Sequence, residues 1–232
     1  MYSQSSSRPI AFGASSSALI RSVFGWMAVG LCLTGMVSSY VLNNPDVAQS
    51  LFSPGKLIVL ALLQVGLVVW LSGWVMRMSA GTATAVFLGY SALNGITLAP
   101  LAYIYTHESI TSAFLTAAGM FAAMVFYGTV TKKDLSSWSS FLMMGLWGII
   151  IASVVNIFFH SAAMAFTMSV AGVIVFTGLT AYDVNRLKQY GSGVTEGTPD
   201  FRRAAILGAL SLYLDFINLF VMLLRLMGDR RN

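Results

Sequence analysis

Two aspartates stand where apolar sequence should exclude them. Asp215 falls inside GALSLYLDFINLFVMLLRL and Asp183 inside TGLTAYDVNRLK. A carboxylate surrounded by lipid costs a few kcal/mol or more unless it is neutral, paired or wet, so each needs a chemical reason. On a helix, Gly208, Ser211, Asp215, Asn218, Met222 and Arg225 recur at three-and-four spacing and share one face, while Leu, Phe, Val and Ile fill the rest. That face should turn away from lipid. Ser211 and Asn218 are then placed to hydrogen-bond Asp215, and a polar clamp between helices is an equally good reading of those two. Asp183 stands one turn after Thr180 and one turn before Arg186. Arg186 favours the ionised acid; alone, this group reads as readily as a boundary ion pair.

Together the two acids say more. They lie on consecutive helices joined by one loop, which run antiparallel. Two carboxylates close together in low dielectric cannot both ionise easily, so they share a proton and titrate as a unit. Such a pair is a pH-sensitive latch: a shared proton joins the helices and two charges push them apart. Counted from the outer helix ends at 1.5 Å per residue, Asp183 lies about 32 Å down and Asp215 about 18 Å. Their meeting requires tilt, a shifted boundary or a bend near Gly178, or else a link through water or Arg186.

Helices fit to hold these acids are plain in the composition. The chain has 232 residues, 57% hydrophobic and only 9% charged, with mean hydropathy +0.78. Soluble domains are roughly 25% charged, so this is a membrane protein. Apolar runs near 19–42, 57–76, 82–105, 110–131, 138–160, 162–184 and 204–227 each approach the roughly 20 residues a bilayer needs. Strand-like alternation is absent, so the class is all-α with seven transmembrane helices. His160-Ser161 is the least distinct break. Thr198-Pro199-Asp200 is a helix start. Gly145 and Gly148 suit close helix packing. Residues 1–18 are polar and serine-rich and read as a flexible tail ahead of one domain, 19–232. The first apolar run is too long for a signal-peptide core and reads as an uncleaved span.

Net charge is +5, but the bases are scattered over short loops and form no nucleic-acid face. They read as orientation signals. One side would hold Arg8, Arg21, Arg77, Lys132, Lys133, Arg186, Lys188, Arg202 and Arg203; the other Lys56, Arg225, Arg230 and Arg231. That places the N-terminus in the cytoplasm and the C-terminus outside. Cys32 is single, so neither an intrachain disulfide nor a cysteine metal site arises.

Other polar residues are candidates for a path or for interhelical glue. Tyr90, Asn94 and Thr97 share a face ahead of Pro100, which should kink that helix. Ser153, Asn156 and His160 share another, and Gln64 is a lone amide in the second span. Metalloprotease, nucleophile-elbow and P-loop motifs are all missing, so the chain is not expected to be an enzyme. An intramembrane aspartyl protease has a similar two-aspartate layout but carries Gly-x-Gly before its second aspartate. Here Tyr213 and Leu214 precede Asp215, which weighs against that reading.

The stretches GVIVFTGLTAYDVNRLK and LGALSLYLDFINLFVMLLRL resemble the last two helices of the Bax-inhibitor-motif membrane family, in its bacterial branch. GWMAVGLCLTGMV (25–37), GITLAPL (95–101) and YGTVTKKDLSS (127–137) are similar to family sequence too, so the resemblance runs from about residue 18 onward. It implies a seven-helix bundle with the C-terminal helix central. It implies that Asp183 and Asp215 match the family's paired aspartates, associated with pH-dependent calcium leak. The family is also linked to protection from cell death and, in bacteria, to regulation of a membrane-bound protease. Some members carry an acid in the second helix, where the best match here is Gln64. Calcium wants six to eight oxygens, so two aspartates offer at most a weak, transient calcium site completed by water and backbone carbonyls.

The expectation is a passive cation leak in a bacterial inner membrane, with no resident cofactor and with lipid, protons and cations as its partners. The alternative is a non-transporting regulator that binds another membrane protein through its serine-rich tail, residues 3–7 and 15–17.

Overall fold

The computed structural model describes residues 12–231. Its helices are α1 (Phe12–Leu42), α2 (Pro45–Leu51), α3 (Pro54–Trp74), α4 (Ala80–Leu98), α5 (Leu101–Ile104), α6 (His107–Val130), α7 (Ser139–Phe159), α8 (Ala162–Gly191) and α9 (Pro199–Met227). Tight 3-10 turns cover Val75–Arg77 and Leu135–Trp138. Among the described residues there is no strand, only an isolated antiparallel bridge from Tyr105 to Arg230. Seven helical segments are long and apolar enough to cross a membrane, with α4 and α5 counted together. Helices suit that setting because they satisfy their own backbone groups where no water can.

The boundaries follow local chemistry. Ser79, Thr106, Ser161 and Thr198 each cap a helix by accepting a backbone N–H from three residues on, at 3.0–3.3 Å. Pro199 takes the first-turn position it suits. Pro100 interrupts the third span between α4 and α5. At the least distinct break, His160 turns left-handed, with φ 49°, and Asn156 Oδ1 accepts from the Ser161 N–H at 2.9 Å. The chain therefore reverses between α7 and α8 although hydropathy barely drops there.

Two boundaries differ from expectation. α1 begins at Phe12, inside the stretch read as a tail. Ser16 is buried, its Oγ donates to the Lys188 carbonyl at 2.9 Å, and Gly191 lets the end of α8 close onto it. Residues 1–11, including the serine-rich stretch 3–7, lie outside the described residues. α8 continues past 184 to Gly191 because its last two turns pack on α1 and on the 131–135 turn.

The last helix is the most enclosed. Two thirds (67%) of its most apolar window is buried, against 11% for the α3 and α7 spans. α9 packs on α1, α4, α6 and α8, while α3 rests chiefly on α4 and α7 chiefly on α8. Backbones come close at two seams. A Cβ on Gly95 would stand 2.6 Å from the Thr34 carbonyl, and one on Gly128 2.7 Å from that of Ala181. The anticipated Gly145–Gly148 patch is half correct: Gly145 abuts Val175, but Gly148 has nothing within 4 Å.

Candidate functional site

The register of α8 against α9 decides how the acids meet. Gly172 lies against Met222 and Gly208 against Leu187. Four residues back from Leu187 is Asp183, and three on from Gly208 is Ser211, so those two share a level. Seven steps from the same contact bring Asp215 opposite Thr180. Asp215 is thus about one helical turn, roughly 5 Å, deeper than Asp183. The larger offset implied by counting from outer ends vanishes because those ends are not flush. The two carboxylates lie within electrostatic reach of each other.

Their surroundings differ. Asp183 is half-buried and lines a cavity of about 240 Å³ with Arg186, Gly208, Ser211 and Tyr190, at the end of the bundle that holds the α8–α9 turn. Arg186 presents its charge to Asp183 without closing to ion-pair distance. Asp215 is 5% exposed, and its Oδ2 has no hydrogen-bond partner. Beyond it, Phe216 stacks edge-on against Phe114 and Phe121, at 5.4 and 5.6 Å between ring centroids. On that far side lies an apolar cavity of about 470 Å³, lined by Thr34, His107, Phe114, Phe216 and Phe220 among others. Asp215 lines neither of these two cavities; along α9 it falls between Ser211, which lines the first, and Phe216, which lines the second.

The supporting residues are placed otherwise than their spacing suggested. Asn218 does not orient Asp215: its Nδ2 donates to the Leu214 carbonyl at 2.8 Å. Thr180 donates to the Phe176 carbonyl at 2.8 Å. Short polar side chains on a helix satisfy themselves this way when no nearer partner exists. Ser211 stands beside Asp183 rather than Asp215. The path candidates are likewise engaged. Gln64 Nε2 donates to Thr97 Oγ1 at 2.9 Å and to Asn94 Oδ1 at 3.3 Å, so α3 and α4 satisfy part of each other's polarity, while Asn94 Nδ2 is buried without a partner. Asn156 holds the α7–α8 turn, as described above.

One polar centre escaped sequence reasoning. Tyr213 is fully buried, and its hydroxyl lies 2.7 Å from Thr34 Oγ1. Thr34 spends its own hydrogen on the Gly30 and Ser91 carbonyls, both at 2.9 Å, so the tyrosine is the donor. The ring meets Phe87 and Tyr90 edge-on. The signal was present: a tyrosine inside an apolar helix needs a partner for its hydroxyl. No group of three His, Cys, Asp or Glu side chains clusters among the described residues.

Comparison with known proteins agrees with this architecture. The family model described as inhibitor of apoptosis-promoting Bax1 matches residues 16–232. The inner membrane protein YbhL of Escherichia coli (strain K12) is 48% identical over 211 residues, covering 90% of each chain. RP147 of Rickettsia prowazekii is 37% identical over 212 residues, covering 90% of this chain and 89% of its own. YrjE of Lactococcus lactis subsp. lactis is 35% identical over 218 residues, covering 91% of each.

Proposed function

Because this chain belongs to the family of the inhibitor of apoptosis-promoting Bax1, we propose that it is a passive, pH-sensitive cation leak of a bacterial inner membrane, with calcium as cargo. Asp183 and Asp215 form its proton-sensitive latch. The N-terminus faces the cytoplasm, as the distribution of lysine and arginine favours. The location rests on YbhL, whose name places it in that membrane.

One observation carries the reading: two carboxylates about one turn apart, with Asp215 falling on α9 between the residues that line one cavity and those that line the other. A shared proton holds α8 to α9 with the seam closed. When both acids ionise, repulsion in a poorly solvated seam loosens α9. The same charges then offer a passing cation brief, weak ligation, since two carboxylates fall short of the six to eight oxygens calcium prefers. The aspartates act here as a switch and not as catalytic groups.

The test is calcium flux into proteoliposomes at several pH values. Flux should rise with pH in the wild type and stay low throughout in Asp215→Asn, whose amide cannot ionise. Flux matching protein-free liposomes at every pH would sink the proposal and leave a regulator that binds other membrane proteins as the better account.

A further inference from the structure

A second constellation lies away from the aspartates, at the bundle end that carries the α6–α7 and α8–α9 turns. There a cavity of about 480 Å³ is lined by Lys132, Lys133, Lys188, Asp134, Thr129 and Ser17 among others. Lys188 is fixed in place, its Nζ donating to the carbonyls of Thr129 at 2.8 Å and Thr131 at 3.3 Å. Lys132 and Lys133 follow the end of α6 and are exposed. Asp134 is the one acid among the residues of this lining. Its carboxylate is turned to its own turn, accepting from the Ser136 N–H at 2.9 Å, the Ser136 hydroxyl at 2.6 Å and Gln189 Nε2 at 3.3 Å. The cavity is therefore basic, three lysines against one acid, and that acid's Oδ1 takes all three of these bonds.

Thr129 also lines a neighbouring trough of about 450 Å³, formed by Phe24, Phe121, Ala122, Val125 and Phe126. That trough is almost wholly apolar and follows the seam between α1 and α6. Both helices pack on α8 and α9, which leaves a cleft between them. From Thr129 to Phe121 the trough extends about 12 Å along α6, at 1.5 Å per residue. A basic chamber at the membrane boundary thus adjoins, at Thr129, an open apolar groove that runs along α6 toward the membrane interior.

We propose that the two compartments together bind an anionic phospholipid, its phosphate among the lysines and an acyl chain in the trough. Ammonium groups act as point charges for phosphate, and basic recesses between transmembrane helices select acidic headgroups. A zwitterionic headgroup would bring its ammonium among three lysines set against a single carboxylate. Free phosphate would use the chamber and leave the trough without a role.

The experiment is native mass spectrometry of the full chain in detergent, titrated with phosphatidylglycerol or phosphatidylcholine of the same acyl length. Phosphatidylglycerol should bind preferentially. Lys132→Gln with Lys133→Gln should weaken it by about fivefold per lysine without affecting phosphatidylcholine. Ala122→Trp, at an exposed position inside the trough, should weaken it as well. Unfolding temperatures equal to wild type would confirm that both variants are folded. Equal binding of the two lipids, or phosphatidylglycerol binding unchanged in either variant, overturns the proposal. So does inorganic phosphate displacing the adduct while Ala122→Trp has no effect, which would leave only a phosphate cleft. An adduct that forms only after deletion of residues 1–11 would assign the chamber to the chain's own N-terminal segment and overturn it too.

Discussion

Asp215 sits about one helical turn deeper in the bundle than Asp183, across the seam between α8 and α9. The contacts of Gly172 with Met222 and of Gly208 with Leu187 set that offset. It gives the acids unequal access: Asp183 borders a cavity at the loop end, while Asp215 is enclosed with an unpartnered oxygen. From that end the order is Asp183, then Asp215, then Phe216, whose ring stacks edge-on against Phe114 and Phe121. The outcomes below separate this arrangement from the one suggested by helical spacing alone.

Ser211→Ala should shift the pH midpoint of calcium flux, because its hydroxyl stands beside Asp183. Asn218→Ala should leave that midpoint unmoved, since the amide is spent on the Leu214 carbonyl. Flux titrations of both variants decide it; a midpoint that moves only with Asn218 would restore the pairing inferred from the helix face.

Close backbone seams should not tolerate a methyl group. Gly95→Ala and Gly128→Ala each face a carbonyl oxygen at under 3 Å, a clash that costs about 1–3 kcal/mol. Gly148→Ala meets open space and gains helix propensity of up to about 1 kcal/mol. Thermal unfolding in detergent should place the first two below wild type and the third at or above it.

Gln64→Leu removes two hydrogen bonds between α3 and α4, a loss of about 1–2 kcal/mol. If the amide is interhelical glue, stability falls while the pH dependence of flux is retained. Unchanged stability with altered flux would mark Gln64 as a path-lining residue instead.

Asp134 offers a pH test outside the membrane-spanning segments. Hydrogen bonds from the Ser136 hydroxyl and N–H, and then from Gln189, hold its carboxyl below the usual value of 3.8. A folded-state value depressed in this way stabilises the fold above the unfolded value and loses that contribution as pH falls through the folded one. Wild type should therefore exceed Asp134→Asn slightly in unfolding temperature at neutral pH, with the gap closing below about pH 4. A gap that widens on acidification would contradict the assigned bonding.

Much of the architecture was legible in the chain. Seven apolar runs, proline at 100 and 199, and serine or threonine ahead of several helices are local features, and they act through local physics. The His160 reversal was faint because hydropathy does not report a left-handed residue. Ser211 and Asn218 were assigned to Asp215 because they share its helix face. That face meets α8 at one level and its own backbone at another, which no single-helix pattern contains.

By itself the sequence determined that the chain crosses a membrane as helices, and that two acids occupy the last two of them. Both follow from the cost of placing unsatisfied backbone or charge in lipid. Only the tertiary structure decided which side chains those acids meet. Register between helices is set by where small residues let neighbours sink in, and a shift of one turn exchanges every partner along the seam. The same holds for Tyr213 with Thr34, and for the lysines gathered beside the α1–α6 cleft, whose residues lie far apart in the chain.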